Sequence, residues 1–146
     1  MIKLSFGKKI SQNGPCFIIA EAGVNHNGKL SIAKKLVDLA VSAKADAVKF
    51  QTFLADEIIL KKAPKAKYHI ETTGSDNKLS WYDLLKSQEI SVKMHKELIK
   101  YCKKKKIIFL STPYDKKSCD LLDNLGVEMF KIASTDTNNY QLIKYI

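Results

Sequence analysis

Two lysines stand inside short apolar runs: Lys49 between Val48 and Phe50, and Lys131 between Phe130 and Ile132. An ammonium held among such neighbours needs a partner, because leaving it unpaired and out of water is costly. A carboxylate of the protein can serve, or the stem can carry the charge out to solvent. A phosphate or carboxylate ligand can also serve, and two such lysines on separate runs favour that reading. Gln51 follows Lys49 by two residues and shares its face in an extended segment.

Other polar residues close the neighbouring runs. Glu21 follows Phe17-Ile18-Ile19-Ala20, Ser111 and Thr112 follow Ile107 to Leu110, and Ser134 and Asp136 follow Lys131. The hydroxyls would add neutral donors, although each alone fits loop or cap chemistry equally well. Glu21 suits a counter-ion to Lys49, or a group that orients a hydroxyl or a water. His26 lies among the turn residues Asn25, Asn27 and Gly28, with no second ligand at metal spacing, and reads as a hydrogen-bonding side chain. Tyr68 and His69 could touch a sugar, but a solvated loop is the plainer reading.

The elements that must position these groups alternate. Phe17–Ala20, Asp46–Phe53, Ile107–Leu110 and Val127–Ile132 read as strands, apolar and β-branched. Between them, Leu30–Ala45 and Ser91–Lys105 carry apolar residues at helical spacing, with Ser31 and Ser91 as N-caps. Val92, His95, Leu98, Ile99 and Cys102 form the apolar face of the second of these. A short helix Lys116–Leu125 ends at Gly126, and Asn138 or Asn139 caps a last one over Tyr140–Ile146. The connection Leu54–Glu89 is long, with a helical piece near Trp81, and a connection of that length is usually functional. Strand-helix alternation predicts an α/β fold with a parallel sheet. Every predicted strand turns polar at its C-terminal end, the edge where such folds bind ligands.

Composition narrows the classes. The chain has 146 residues, a formal net charge of +10 and 45% hydrophobic content, which suits one globular domain. No apolar stretch reaches the ~20 residues of a membrane span, and no signal peptide is evident, so no membrane partner is expected. Every basic residue is Lys, and without Arg the charge argues against a nucleic-acid partner. Cys16, Cys102 and Cys119 have no paired or metal spacing and read as reduced thiols in a cytoplasmic protein.

Four segments taken together resemble the sialic acid synthase family (N-acetylneuraminate, legionaminic and pseudaminic acid synthases). They are Ile18–Gly28 (IIAEAGVNHNG), Ala47–Phe53 (AVKFQTF), Ser111–Asp115 (STPYD) and Lys131–Ser134 (KIAS), in the family's order. The resemblance implies a (β/α)₈ barrel with a C-terminal antifreeze-like domain, acting as a homodimer. It implies condensation of phosphoenolpyruvate with an N-acetylated hexose such as N-acetylmannosamine. The enol carbon attacks the open-chain aldehyde, water adds at the adjacent carbon, and phosphate leaves by C–O cleavage. By position, Lys49, Thr112, Lys131 and Ser134 resemble the phosphoenolpyruvate contacts. Gln51 resembles a sugar contact, and Glu21 and Asp136 resemble catalytic groups on the sugar or water side. A divalent metal, Mn or Mg, is implied, with histidine ligands in later strands beyond this chain. Where the neuraminate branch has Ser-Gly-Glu, this chain has Ser134-Thr135-Asp136, which leaves the acceptor sugar open.

A complete barrel needs about 250 residues. The expectation is therefore the first four βα units of a TIM barrel, residues 1–146 forming the N-terminal half of a synthase domain and inactive alone. Another phosphoenolpyruvate-dependent 2-keto sugar acid synthase and a non-catalytic half-barrel module are the alternatives.

Overall fold

Alternation along the second predicted strand builds the sheet. In Ala47–Thr52 (β4), Val48, Phe50 and Thr52 face one way, and Ala47, Lys49 and Gln51 the other. β4 is the middle strand of three, flanked by Ile19–Gly23 (β3) and Ile108–Pro113 (β5), both parallel to it. The computed structural model describes residues 1–64 and 80–146, so Tyr68 and His69 lie outside the described residues. An antiparallel pair, Ile2–Lys3 (β1) and Lys9–Ile10 (β2), precedes the sheet.

The helices follow their patterns closely. Leu30–Ser42 (α1) buries Ala33, Val37 and Ala40, and Val92–Lys105 (α4) buries Met94, His95, Leu98 and Cys102. Val92 is half exposed and does not join that face. Both helices pack on the outer face of the sheet, around Val48, Phe50 and Phe109. The rings of Phe50 and Phe109 stack there, with centroids 5.6 Å apart. Ser91 caps α4 by accepting the Met94 N–H. Ser31 does not cap α1: it lies inside the helix, and Lys29 is the N-cap, without a side-chain bond.

Among the described residues two short helices, Ala55–Ile58 (α2) and Trp81–Gln88 (α3), lie between β4 and α4. Ser80 and Asp83 form a capping box at the start of α3. Lys116–Asn124 (α5) is capped by Asp115, and Gly126 follows it in the left-handed conformation. Tyr140–Tyr145 (α6) is capped by Asn139.

The fourth predicted strand needs correction. Val127–Ile132 contributes a single parallel bridge, Ser111 to Phe130, rather than a ladder. The segment still lies along β5, because the Lys131 N–H donates to the Ser111 carbonyl at 3.2 Å. Phe130 packs with the outer core and Met129 with a smaller inner cluster of Ala47, Ile108 and Leu110. Alternation therefore sets Lys131 on the inner face. The observed architecture is α/β: a parallel sheet with helices on its outer face and three ladder strands among the described residues.

The inner face is graded. Its lower end is apolar, with Leu4 and Phe17 packing on Ala47, Ile108 and Leu110. Asp46 ties the β1–β2 pair beneath it, accepting from Lys8 Nζ at 2.6 Å and from the Ile18 N–H at 2.7 Å. The Lys8 bond holds the Asp46 carboxyl below the usual carboxylate range.

Candidate functional site

The upper, C-terminal end of the inner face carries the polar residues. Glu21 stands opposite Lys49 in the β3–β4 register, and Gln51 opposite Thr112 in the β4–β5 register. Four of the predicted residues thus share one face. The Lys49 ammonium, whose side chain is 12% exposed, forms an ion pair with the Glu21 carboxylate, which is 53% exposed. The partner that the buried lysine requires is therefore present in the chain, and it stands at the solvent side.

The end of β3 is irregular, with a register shift between Glu21 and Gly23. Gly23 adopts φ +53°, and a Cβ there would stand 3.4 Å from Glu21 Oε1 and 3.8 Å from Gln51 Nε2. A Cβ would only touch these groups, and it is the positive φ that favours glycine at this position. Irregularities of this type re-aim side chains beside functional sites.

Thr112 is 1% exposed, and its hydroxyl has no hydrogen-bond partner among the described residues. A buried hydroxyl without a partner costs free energy unless a ligand or water meets it. Asp136 shows the same feature. Its Oδ1 accepts from Asn139 Nδ2 at 3.1 Å, while Oδ2 is buried and has no partner among the described residues. Lys131 and Ser134 are exposed, Ser134 opening a 3₁₀ turn that reaches Asp136.

Ser111 behaves differently from Thr112. It points to the outer face, where its Oγ lies 2.7 Å from Thr52 Oγ1, itself 2.9 Å from His95 Nε2. The other ring nitrogen, Nδ1, lies 3.0 Å from the Ser91 carbonyl, which can only accept. Burial pushes His95 below the ordinary histidine range, so the ring is neutral with its proton on Nδ1. Thr52 then donates to Nε2 and accepts from Ser111. The Ser111 hydroxyl is thereby occupied behind the sheet, which corrects the expectation that it adds a donor to the rim.

A cleft of about 790 Å³ opens above the strand ends. Gln51, Asp136 and Asn139 give it polar lining, and Phe53, Trp81 and Tyr114 give it aromatic lining. The Tyr114 ring meets Phe53 edge to face, with centroids 6.2 Å apart. Burial, then the carboxylates of Asp136 and Glu21, raise the Tyr114 hydroxyl above its usual pKa and keep it a donor. Tyr114 was not among the residues that the sequence singled out, although it stands next to the Ser-Thr-Pro run. Asp115 beside it is structural: it accepts from the Ser118 and Leu54 N–H groups at 2.8 and 3.0 Å.

Among the described residues no group of three or more His, Cys, Asp or Glu could hold a metal ion. His26 is fully buried; its Nδ1 accepts from the Gly28 N–H at 3.0 Å, and its Nε2 has no hydrogen-bond partner among the described residues. Among the described residues no helix is long and apolar enough to cross a membrane. Burial pushes the Cys102 thiol up to about 12, leaving it an inert part of the core.

Comparison with known proteins gives this geometry a family. The chain is 50% identical over 129 residues to the N,N'-diacetyllegionaminic acid synthase of Campylobacter jejuni, covering 88% of this chain and 38% of that protein. It is 32% identical over 143 residues to human N-acetylneuraminate-9-phosphate synthase, covering 98% of this chain and 39% of that protein. In structure it is similar to N-acetylneuraminic acid (sialic acid) synthetase from Leptospira borgpetersenii, solved in complex with citrate. That match has a TM-score of 0.77 and 36% identity, and covers 99% of this chain and 45% of that one. The chain thus spans less than half the length of these relatives. Residues 36–146 match the NeuB family, and with acid synthases as its relatives the chain belongs to that family.

Proposed function

We propose that this chain carries the phosphoenolpyruvate side of a synthase that condenses phosphoenolpyruvate with an acetamido sugar, giving a nonulosonic acid and phosphate. The observation that carries the reading is the gathering of Glu21, Lys49, Gln51 and Thr112 on one face at the C-terminal end of the sheet, beneath a cleft. Family membership supports it.

In this reading Lys49 and Lys131 hold the carboxylate and phosphate of phosphoenolpyruvate through charge-assisted hydrogen bonds, and Thr112 and Ser134 add neutral donors. The unpartnered Thr112 hydroxyl is the group most in need of a ligand oxygen. Gln51 faces the acceptor sugar from the cleft. Glu21 and Asp136 orient the attacking water and the acceptor oxygens. The enol carbon of phosphoenolpyruvate bonds to the aldehyde carbon, water adds at the carbon bearing the phosphate, and the C–O bond to phosphate breaks. Phosphoenolpyruvate, sugar and water thus give the keto acid and phosphate.

A divalent metal, Mn or Mg, belongs to the same proposal. The described residues do not form a site that fits it, so its ligands would come from later strands of a longer protein, and no step runs through it. Residues 1–146 would be the N-terminal half of a TIM barrel whose remaining strands and antifreeze-like domain lie in that longer protein. It would be a cytoplasmic homodimer.

The test is phosphate release. The polypeptide at its natural length, given phosphoenolpyruvate, N-acetylmannosamine or a diacetamido sugar, and manganese, should release phosphate in step with keto-acid formation. Residues 1–146 alone should release none above background. Absence of turnover with every acetamido acceptor would sink the reading.

A further inference from the structure

We propose that the loop Asn25–Gly28 is a positioning element for the acceptor wall of the cleft: Gly28 lets the loop meet the Ser87 carbonyl, and that contact sets where helix α3 carries Trp81 and Leu85. The proposal rests on the reading of the cleft as the acceptor site and adds to it what holds the wall in place.

The contact is backbone against backbone. A Cβ on Gly28 would stand 2.5 Å from the Ser87 carbonyl oxygen, closer than any side chain tolerates. Gly28 also has φ +68°, a conformation that residues with a side chain rarely adopt. Glycine therefore serves two needs at one position, a turn and a close approach.

The loop cannot easily yield. His26 is fully buried, its ring centroid 6.0 Å from that of Phe50 in the outer core, and the Gly28 N–H donates to its Nδ1. The Asn27 N–H donates to the Val24 carbonyl at 3.0 Å, and the Lys29 N–H to the His26 carbonyl at 2.9 Å. The loop is thus fixed to the sheet, and α3 rests on the loop.

Helix α3 has a second fastening farther out. Tyr82 donates to Asp56 at 2.6 Å, and Lys86 pairs with the same carboxylate at 3.0 Å. On the helix held by these two fastenings, Trp81, Leu85 and Gln88 line the cleft. The loop also begins just past Glu21 and the register shift.

The experiment uses the polypeptide at its natural length. Asn tolerates positive φ, so Gly28→Asn brings the crowding against Ser87 with little of the backbone strain. Hydrogen exchange of the Trp81–Gln88 amides should quicken at least about five-fold while far-UV circular dichroism is unchanged. The KM for the acceptor sugar should rise at least about five-fold, with the KM for phosphoenolpyruvate held within about two-fold. His26→Asn loosens the loop without adding an atom against Ser87 and should move both readouts the same way, which covers the case in which Gly28→Asn does not fold. Unchanged exchange in α3, or the two KM values rising together, would overturn the proposal. If the wild type turns over no acetamido sugar, the reading of the cleft fails, and the exchange measurement still decides whether the loop positions α3.

Discussion

Glu21 and Lys49 face each other across adjacent parallel strands, and their side chains form an ion pair on the inner face of the sheet. The pairing has a consequence for any anion that binds there. Lys49 is already neutralised, so an incoming carboxylate or phosphate must share the lysine with Glu21. Removing the charge of Glu21 while keeping its shape should strengthen anion binding even as it weakens chemistry.

Glu21→Gln is therefore expected to lower the KM for phosphoenolpyruvate about five-fold and to lower kcat at least about 100-fold, if Glu21 orients the water. Lys49→Met should do the opposite to binding, raising that KM at least about ten-fold. Steady-state kinetics of the natural-length protein with phosphoenolpyruvate varied checks both signs. An unchanged or lowered KM for Lys49→Met would dismiss Lys49 as an anion ligand.

Stability should depend on pH through two histidines. Burial holds His26 and His95 below the ordinary histidine range, and His26 is lowered further by His95. In the unfolded chain each binds a proton near pH 6.5. Below that value the unfolded state carries more protons than the folded one, so stability falls as pH drops from about 6.5 toward the folded-state values. Each histidine contributes a slope of up to about 1.4 kcal/mol per pH unit in that window, and nothing above it. Urea unfolding between pH 5 and 8 should show this slope, and a His26→Gln/His95→Asn double variant should show a flatter one.

The parts of the fold legible in the sequence were those written locally. Ser91 and the apolar spacing behind it announce α4, and Gly126 announces the end of α5. Lys49 and Gln51 read as one face because a strand alternates every second residue. Other features are not local. Val127–Ile132 has a strand's composition, but only the neighbouring strand decides how much of it pairs, and it pairs at Phe130 alone. The pairing of Ile2–Lys3 with Lys9–Ile10 is too short to leave an alternating pattern in the residues that make it. Tyr114 looks like a loop residue until Phe53 and Asp136, distant in sequence, are brought to its sides. Ser111 and Thr112 are equal in sequence, and the pleat alone sends one to Thr52 on the outer face and the other to the inner face.

Thr52 joins two buried groups, His95 Nε2 and Ser111 Oγ. Thr52→Val keeps the shape and removes the hydroxyl that His95 Nε2 accepts from and Ser111 donates to. Two buried polar atoms are then unsatisfied, at about 1–3 kcal/mol each before relaxation. A loss of about 2–3 kcal/mol in urea unfolding is expected. The pH slope should change as well, because His95 loses the donor that favours its neutral ring. A loss below about 0.5 kcal/mol would mean that the chain of hydroxyls carries no weight in the fold.

The sheet edge on β3 carries the last expectation. β3 pairs with β4 on one side, and among the described residues no strand pairs with its other side. Ile18 and Ile19 are 52% and 41% exposed, and Leu39 on the neighbouring α1 is 64% exposed. An open strand edge beside apolar side chains is a template for another chain. The polypeptide of residues 1–146 should therefore associate into dimers or larger species, as measured by multi-angle light scattering. Ile19→Lys places a charge on that edge and should shift the distribution toward monomer, while Leu60→Lys, at an exposed site away from the edge, should not. A monodisperse monomer for the unsubstituted chain would show that the edge is protected by something other than a partner strand.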